Sequence, residues 1–146
     1  MVKIKLLSIL ESDWLENAKQ KAKLRTYILL KSNYGAESFV KLNLSRRQRS
    51  LTAQIRAGVL PLRIETGRFR HESLDRRLCE FCQSNSIESE IHFLLHCPFY
   101  DDLRTSYMKC LTEVQVSNIA DTEILKLIFE QNNVINTAKY VEKAFL

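Results

Sequence analysis

Apolar residues recur at intervals of three and four along most of the chain, which is the pattern of amphipathic helices. Trp14, Ala18 and Ala22 have this spacing near the start of the chain. Residues 2–10 are mostly apolar with two lysines, and their pattern fits either a separate short helix or a strand. The predicted helices cover approximately residues 12–32, 45–57, 88–95, 99–114, 121–131 and 134–146.

Turn and capping residues mark the ends of several of these helices. Ser45 can cap the second helix, and Gly58 can stop it, because glycine adopts the left-handed conformation without steric cost. Residues 59–68 have no sustained period, and Pro61 and Gly67 within them predict a loop or short turn. The last two helices are separated by two asparagines, so they predict a helical hairpin that packs on the body or on a protein partner.

The helix over residues 45–57 has two distinct faces. Leu44, Leu51 and Ile55 fall in one narrow sector at 100° per residue. Three arginines, Arg46, Arg49 and Arg56, fall together in a neighbouring sector. One side can therefore pack while the adjacent side presents an arginine stripe to phosphate, although an ordinary solvated face would show the same pattern.

Positive charge is concentrated in this part of the sequence. Residues 41–77 hold ten basic and three acidic residues, a balance of +7, whereas the remainder holds twelve basic and fourteen acidic residues, a balance of −2. Arginine presents a planar fork of donors that suits phosphate, so we expect a polyanionic partner, RNA and/or DNA. The candidate nucleic-acid-binding residues are Arg46, Arg47, Arg49, Arg56, Arg63, Arg68, Arg70, Arg76 and Arg77.

Composition limits the class of protein. A length of 146 residues with 45% hydrophobic residues is enough for one domain with a core. No apolar run approaches the length of a membrane span, and residues 1–10 lack a cleavable signal, so we expect an intracellular protein, nuclear and/or cytoplasmic, with no membrane partner. Cysteines grouped in a reducing compartment more often bind metal than form disulfides.

Four residues of one stretch have the type and spacing of a zinc site. Cys79 and Cys82 form a C-x2-C pair that can reach one ion from a tight turn, and His92 and Cys97 follow as an H-x4-C pair. The predicted cofactor is Zn2+, held by four protein ligands. Such a closed site has no open position for water, and no nucleophile–base pair is evident, so we do not expect an enzyme.

The fourth ligand has an alternative. On an uninterrupted helix His92 and Cys97 point about 140° apart. Pro98 disfavours the helical conformation at Cys97, so the helix should end before it and Cys97 can turn back to the metal. His96 lies one helical turn after His92 and could replace Cys97 or His92 as a ligand. Cys110 is most simply a core thiol.

Phe69 stands between two arginines, Arg68 and Arg70. A basic–aromatic–basic triplet can stack a nucleobase while holding its phosphates. Such a phenylalanine can also simply pack into the core, and the sequence favours the core role.

Several of these runs together resemble the C-terminal region of reverse transcriptases from non-LTR, LINE-like retrotransposons of the jockey type. The likeness spans approximately residues 12–110, and its most specific part is an E-x-H-x4-C-P motif with an upstream C-x2-C. The runs that carry it are Lys23–Tyr27, Arg46–Ser50, Arg56–Leu62, Glu65–Arg68, Arg77–Cys79, Cys82 and Glu90–Pro98, with Tyr100.

The resemblance implies a zinc-knuckle module that follows the polymerase and its thumb and helps to hold element RNA and target DNA during target-primed reverse transcription. It implies Cys79, Cys82, His92 and Cys97 as ligands and the arginines around residues 46–56 as a nucleic-acid surface. The chain has no YxDD-like polymerase motif and no endonuclease domain, so we expect an accessory part of such an enzyme.

These observations predict a mainly α-helical fold: a small helical domain with an embedded CCHC-type zinc module and a C-terminal helical hairpin. We expect a helical region with the arginine-rich segment over residues 1–75, the zinc module and following helix over 76–115, and the hairpin over 116–146. The expected function is zinc-stabilised nucleic-acid binding. The alternative is a zinc-stapled protein–protein interaction module that docks a partner through the hairpin.

Overall fold

The computed structural model describes residues 2–31, 33–113, 118–130 and 132–146. The described residues are mainly helical, as predicted, and β structure among them is confined to an isolated antiparallel bridge between Leu78 and Ile87. The α-helices are α1 (Val2–Lys19), α2 (Arg25–Leu30), α3 (Arg46–Arg56), α4 (Arg63–Phe69), α5 (Asp101–Tyr107), α6 (Cys110–Glu113), α7 (Asp121–Phe129) and α8 (Asn133–Ala144). The predicted helix ends at Ser32, Val114 and Gln131 lie outside the described residues.

The first part of the chain is helical from Val2, so residues 2–10 are not a strand. They are not a separate short helix either, because they continue without a break into the rest of α1. The prediction of one helix over residues 12–32 is wrong. α1 ends at Lys19, and Lys21 adopts an extended conformation before a 3-10 turn, Ala22–Leu24, leads into α2. This reversal lets α2 fold back on α1, so that the ring of Trp14 meets the ring of Tyr27 edge-on with centroids 6.0 Å apart.

α3 begins and ends where the sequence predicts. The Ser45 hydroxyl accepts from Gln48 N at 3.1 Å, and the Gln48 side chain accepts from Ser45 N at 3.1 Å, which completes a capping box. Gly58 follows the helix with φ +66°. A Cβ at Gly58 would lie 2.2 Å from the backbone oxygen of Lys23, so only glycine fits here.

The predicted loop over residues 59–68 is wrong in its second half, where α4 forms. A seven-residue helix is too short to show a clear period in the sequence. A residue distant in the sequence holds the N-terminus of α4, because Glu88 Oε2 accepts a hydrogen bond from Arg63 N at 2.7 Å. Gly67 in its last turn allows the Arg77 side chain to approach, since a Cβ there would lie 2.7 Å from Arg77 Cγ.

The helix predicted over residues 99–114 is interrupted. A 3-10 turn, Pro98–Tyr100, precedes α5, and α5 ends at Tyr107. Met108 leaves the helical conformation with φ −106° and ψ 56°, and α6 begins two residues later. The break places Met108 in the core, where it is 1% exposed, so apolar burial overrides local helix continuity.

The C-terminal hairpin is confirmed, and its apolar face is buried within the chain. α7 and α8 pack on each other, α8 also packs against α3 and α5, and α7 packs against α2. One hydrophobic cluster therefore joins Ile55, Phe93 and Val134, which come from the three regions defined on the sequence. None of the described helices combines the length and the apolar character needed to cross a bilayer.

Candidate metal centre and arginine surface

The loop that carries Cys79 and Cys82 is closed at its base by backbone hydrogen bonds. Cys79 N donates to Ser86 O at 2.9 Å, and Glu88 N donates to Arg77 O at 3.0 Å. Asn85 reverses the chain between them with φ 52°, a conformation that asparagine tolerates. The resulting tight loop directs both sulfurs to one side.

A widened helical turn brings the second pair of residues to the same place. The chain is helical from Glu90, and the turn His92–His96 is π-type, closed by Cys97 N donating to His92 O at 2.7 Å. Cys97 is extended, with φ −67° and ψ 117°, as the proline that follows it predicts. The extra residue in the turn and the extended Cys97 together place His92 and Cys97 on one side.

Cys79, Cys82, His92 and Cys97 come together in one compact group. One ligand atom from each of the four lies within 4.8 Å of the others, a separation that a single metal ion can bridge. The Cys79 and Cys97 sulfurs are 3.8 Å apart, and the Cys82 sulfur is 3.3 Å from His92 Nε2. Elsewhere in the described ranges no other group of this kind occurs.

His96, the alternative ligand, lies outside the group. Its side chain is 51% exposed, and its Nε2 lies 2.9 Å from Asp121 Oδ2 at the start of α7. Cys110 also lies apart from the group, half-buried against the hydrophobic core. The structure therefore assembles the set of four that the sequence favours.

Backbone donors approach each of the three sulfurs. Cys79 receives the N–H groups of Phe81 and Cys82, Cys82 receives that of Ser84, and Cys97 receives that of Phe99. Hydrogen bonds of this kind lower the pKa of a thiol, because they stabilise its negative charge. These donors favour the thiolate, the form of cysteine that binds metal.

Burial acts on the same group in the opposite direction. It raises the pKa of Cys97 to about 12 and raises that of Cys79, since a lone thiolate is costly away from water. Burial also lowers the pKa of His92, which keeps the imidazole neutral and able to coordinate. The Ser84 hydroxyl, 3.0 Å from the Cys82 sulfur, lowers the pKa of Cys82. A divalent cation would balance the negative charge that this donor set develops.

Three residues that the sequence did not single out hold the site in place. The Arg104 guanidinium is buried and donates to Cys97 O at 2.9 Å and to Leu94 O at 2.9 Å. The Tyr140 hydroxyl donates to Phe93 O at 2.7 Å, which links α8 to the π-turn. Glu88 Oε1 lies 4.0 Å from the Cys79 sulfur. No spacing in the sequence marks these partners, because their separations are set by the tertiary fold.

Three of the predicted nucleic-acid-binding arginines are enclosed within the fold, where they contact other residues of the chain. Arg56 is 7% exposed, pairs with Glu37 at 2.7 Å and lies over the rings of Phe39 and Phe129, so the prediction that it shares an exposed stripe with Arg46 and Arg49 is wrong. Packing of α3 against the body turns its C-terminal end inward.

Arg63 and Arg77 are also largely enclosed. The Arg63 side chain is 14% exposed and pairs with Glu72 at 2.7 Å and with Glu80 at 3.3 Å. Arg77 donates to the backbone oxygens of Ile64 and Glu72. These arginines brace α4 against the cysteine loop.

The other six arginines are exposed at the surface: Arg46, Arg47, Arg49, Arg68, Arg70 and Arg76. Arg47 Nη2 donates to Phe145 O at 2.8 Å, and Arg49 Nη2 donates to the carbonyls of Leu42 and Leu44 at 3.3 Å. In the described part of the chain no carboxylate forms an ion pair with Arg46, Arg49 or Arg70. The N-terminal half of α3 therefore presents uncompensated positive charge.

No protein-family model, curated protein or solved structure matches the chain. The two features of the molecule that bear on function are therefore the Cys/His group and the exposed arginines.

Proposed function

We propose that the chain is a non-catalytic nucleic-acid-binding module held together by one zinc ion. Its sequence resemblance supports a relationship to the region that follows the polymerase in non-LTR retrotransposon reverse transcriptases. In this proposal zinc is structural, and the ligand is RNA and/or DNA.

The donor set supports zinc. Three sulfurs and one imidazole nitrogen form the Cys3His set of tetrahedral structural zinc sites, whereas magnesium and calcium prefer oxygen. Four protein ligands would complete the tetrahedron of a bound zinc ion and would leave no position for a reacting water. Zinc would join the cysteine loop to the π-turn and fix the two segments that border the core. In this proposal the role of zinc is to hold the fold together.

The observation that carries the nucleic-acid proposal is the exposed end of α3. Arg46 and Arg49 are solvent-exposed and have no carboxylate ion pair among the described residues. Arg46 and Arg47 also line a shallow depression with Ser50 and Gln54, which adds neutral hydrogen-bonding groups beside the charges. Phosphate oxygens are the complementary partners of such a surface.

The test is binding of labelled single-stranded RNA, single-stranded DNA and duplex DNA by fluorescence anisotropy at about 50 and 200 mM salt. We expect affinity to fall steeply with salt, because displaced counterions drive binding. The double variant Arg46→Glu/Arg49→Glu should weaken binding and reduce the slope of log affinity against log salt by roughly 1.5–2.

The control carries the same change of charge away from this surface. Lys109→Glu/Lys126→Glu alters two exposed lysines, one between α5 and α6 and one on α7, and should leave most of the affinity intact. Equal losses of affinity in both double variants would mean that binding depends only on the net charge of the chain. That result would contradict the assigned surface. Absence of binding by the wild-type chain to all three probes would contradict the proposed function and favour a zinc-stapled protein–protein module.

A further inference from the structure

Phe69, at the end of α4, exposes most of its ring. It is 67% exposed, so the core role that the sequence favoured is not the one it has. Two cations lie over the ring: the Arg68 guanidinium carbon is 4.9 Å from the ring centroid, and Lys23 Nζ is 5.6 Å from it. Exposed aromatic rings among cations are the arrangement that proteins use to stack bases of single-stranded nucleic acid.

The charge around this ring is positive in sum. Glu65 is 4% exposed and is shared by both cations, with its Oε1 2.8 Å from Arg68 Nη2 and 3.4 Å from Lys23 Nζ. Two cations on one carboxylate leave one positive charge in excess. Arg70 follows the ring, is exposed and has no carboxylate partner in the part of the chain that the structure describes.

A groove of about 250 Å³ lies beside Arg68 and Lys23. It runs between the Ala22–Leu24 turn and α4, and Leu74 borders it with 53% of its surface exposed. Arg77 also lines the groove and donates to backbone oxygens, and no carboxylate of the described residues forms an ion pair with it. Lys23, Arg68 and Arg77 line the groove together with Glu65 and apolar side chains, and this lining suits a flat base joined to a phosphate.

We propose that Phe69, Lys23, Arg68 and Arg70 form a stacking site for an unpaired base of single-stranded nucleic acid. The base lies against the Phe69 ring, and Lys23 and Arg70 hold the flanking phosphates. Bases of a duplex are stacked on each other and cannot offer this face, so the site selects single strands. This inference rests on the proposed function and specifies its ligand class.

Exposure alone does not mark such a site, as a second aromatic surface shows. Phe99 is 60% exposed, and its ring lies 5.2 Å from that of Phe81. Three exposed carboxylates flank this pair along the chain, from Glu80, Asp101 and Asp102. Arg63 pairs with Glu80 and Arg104 with Asp101, which leaves Asp102 without an ion pair among the described residues. Negative charge there opposes phosphate, so Phe99 serves as a matched control for loss of an exposed ring.

The experiment compares Phe69→Ala, Phe69→Trp and Phe99→Ala in the zinc-loaded full chain. The probes are a single-stranded oligonucleotide, its duplex, and a single strand carrying the fluorescent base 2-aminopurine. We expect Phe69→Ala to weaken single-strand binding about 10- to 100-fold, because one stacked base is lost. Duplex binding and the salt slope should stay unchanged, since no charge is removed.

Two further readouts separate stacking from a change in the fold. Phe69→Trp should retain tight binding, and its tryptophan fluorescence should be quenched by the single strand. Quenching of 2-aminopurine by the wild type should disappear in Phe69→Ala and persist in Phe99→Ala. Equal affinity losses in Phe69→Ala and Phe99→Ala, or equal losses for single strand and duplex, would overturn the stacking site. In that case salt-dependent wild-type binding would leave the proposed function standing.

Discussion

The Arg25 guanidinium donates two hydrogen bonds to the carboxylate of Glu90, which lies 65 positions later in the sequence. Arg25 Nε lies 3.0 Å from Glu90 Oε2, and Nη2 lies 2.5 Å from Oε1. The Glu90 side chain is 2% exposed, whereas that of Arg25 is 30% exposed. Glu90 precedes His92 by two positions, so this pair fastens α2 to the turn that carries a candidate metal ligand.

Breaking this pair should destabilise the fold. Glu90→Gln keeps the shape of the side chain but gives the Arg25 guanidinium a poorer acceptor. We therefore expect the free energy of unfolding to fall by about 2–3 kcal/mol. Arg25→Lys should cost a similar amount, because an ammonium group cannot make the two parallel bonds. Urea denaturation of the zinc-loaded protein measures both.

The control for this prediction is the exposed pair of Lys126 and Glu123, 2.8 Å apart on α7. Lys126→Met should change the free energy of unfolding by less than about 1 kcal/mol, since exposed ion pairs contribute little. Glu90→Gln with wild-type stability would show that the buried pair does not hold α2 to the His92 turn.

Gly58 should be among the least replaceable positions. Gly58→Ala combines a positive φ with a contact of 2.2 Å to the Lys23 carbonyl, a backbone atom that cannot rotate away. We expect a loss of about 4 kcal/mol or more in thermal or urea unfolding. Gly35→Ala provides the comparison, because Gly35 has φ +138° with nothing within 4 Å of its added Cβ.

The Gly35 variant therefore isolates backbone strain, of the order of 1–3 kcal/mol. Equal costs at Gly35 and Gly58 would mean that the close approach of α3 to the Lys23 turn is absent in solution.

The sequence predicted the helical class, α3 with its cap, the C-terminal hairpin and the four members of the Cys/His group. Each of these rests on local information: spacing, a capping serine or a residue before proline. The errors have a shared cause. α4 depends on Glu88 reaching Arg63 N from 25 positions away, and the break at Met108 depends on burial. Arg56 was misplaced because a helical wheel cannot show which neighbours pack against it.

Zinc affinity should depend steeply on pH. Binding must remove the thiol protons of Cys79 and Cys97, whose pKa values are raised by burial, to about 12 for Cys97. Because at least two protons leave, affinity should fall roughly 100-fold or more for each pH unit below about 7. The pKa of His92 is lowered, so the imidazole is already neutral there and adds little to this slope.

Competition with a chelator between about pH 6 and pH 8 measures this slope. Cys110→Ser should reproduce the wild-type curve, since Cys110 lies outside the group. A dissociation constant that stays the same across this range would exclude thiolate coordination.

The most direct measurement is the metal content of the purified chain by inductively coupled plasma mass spectrometry, combined with circular dichroism before and after chelation. We predict one zinc ion per chain for the wild type and for Cys110→Ser, and loss of bound zinc and of cooperative unfolding in Cys97→Ser and after chelation. A wild-type chain that is metal-free and still folds cooperatively would contradict the account.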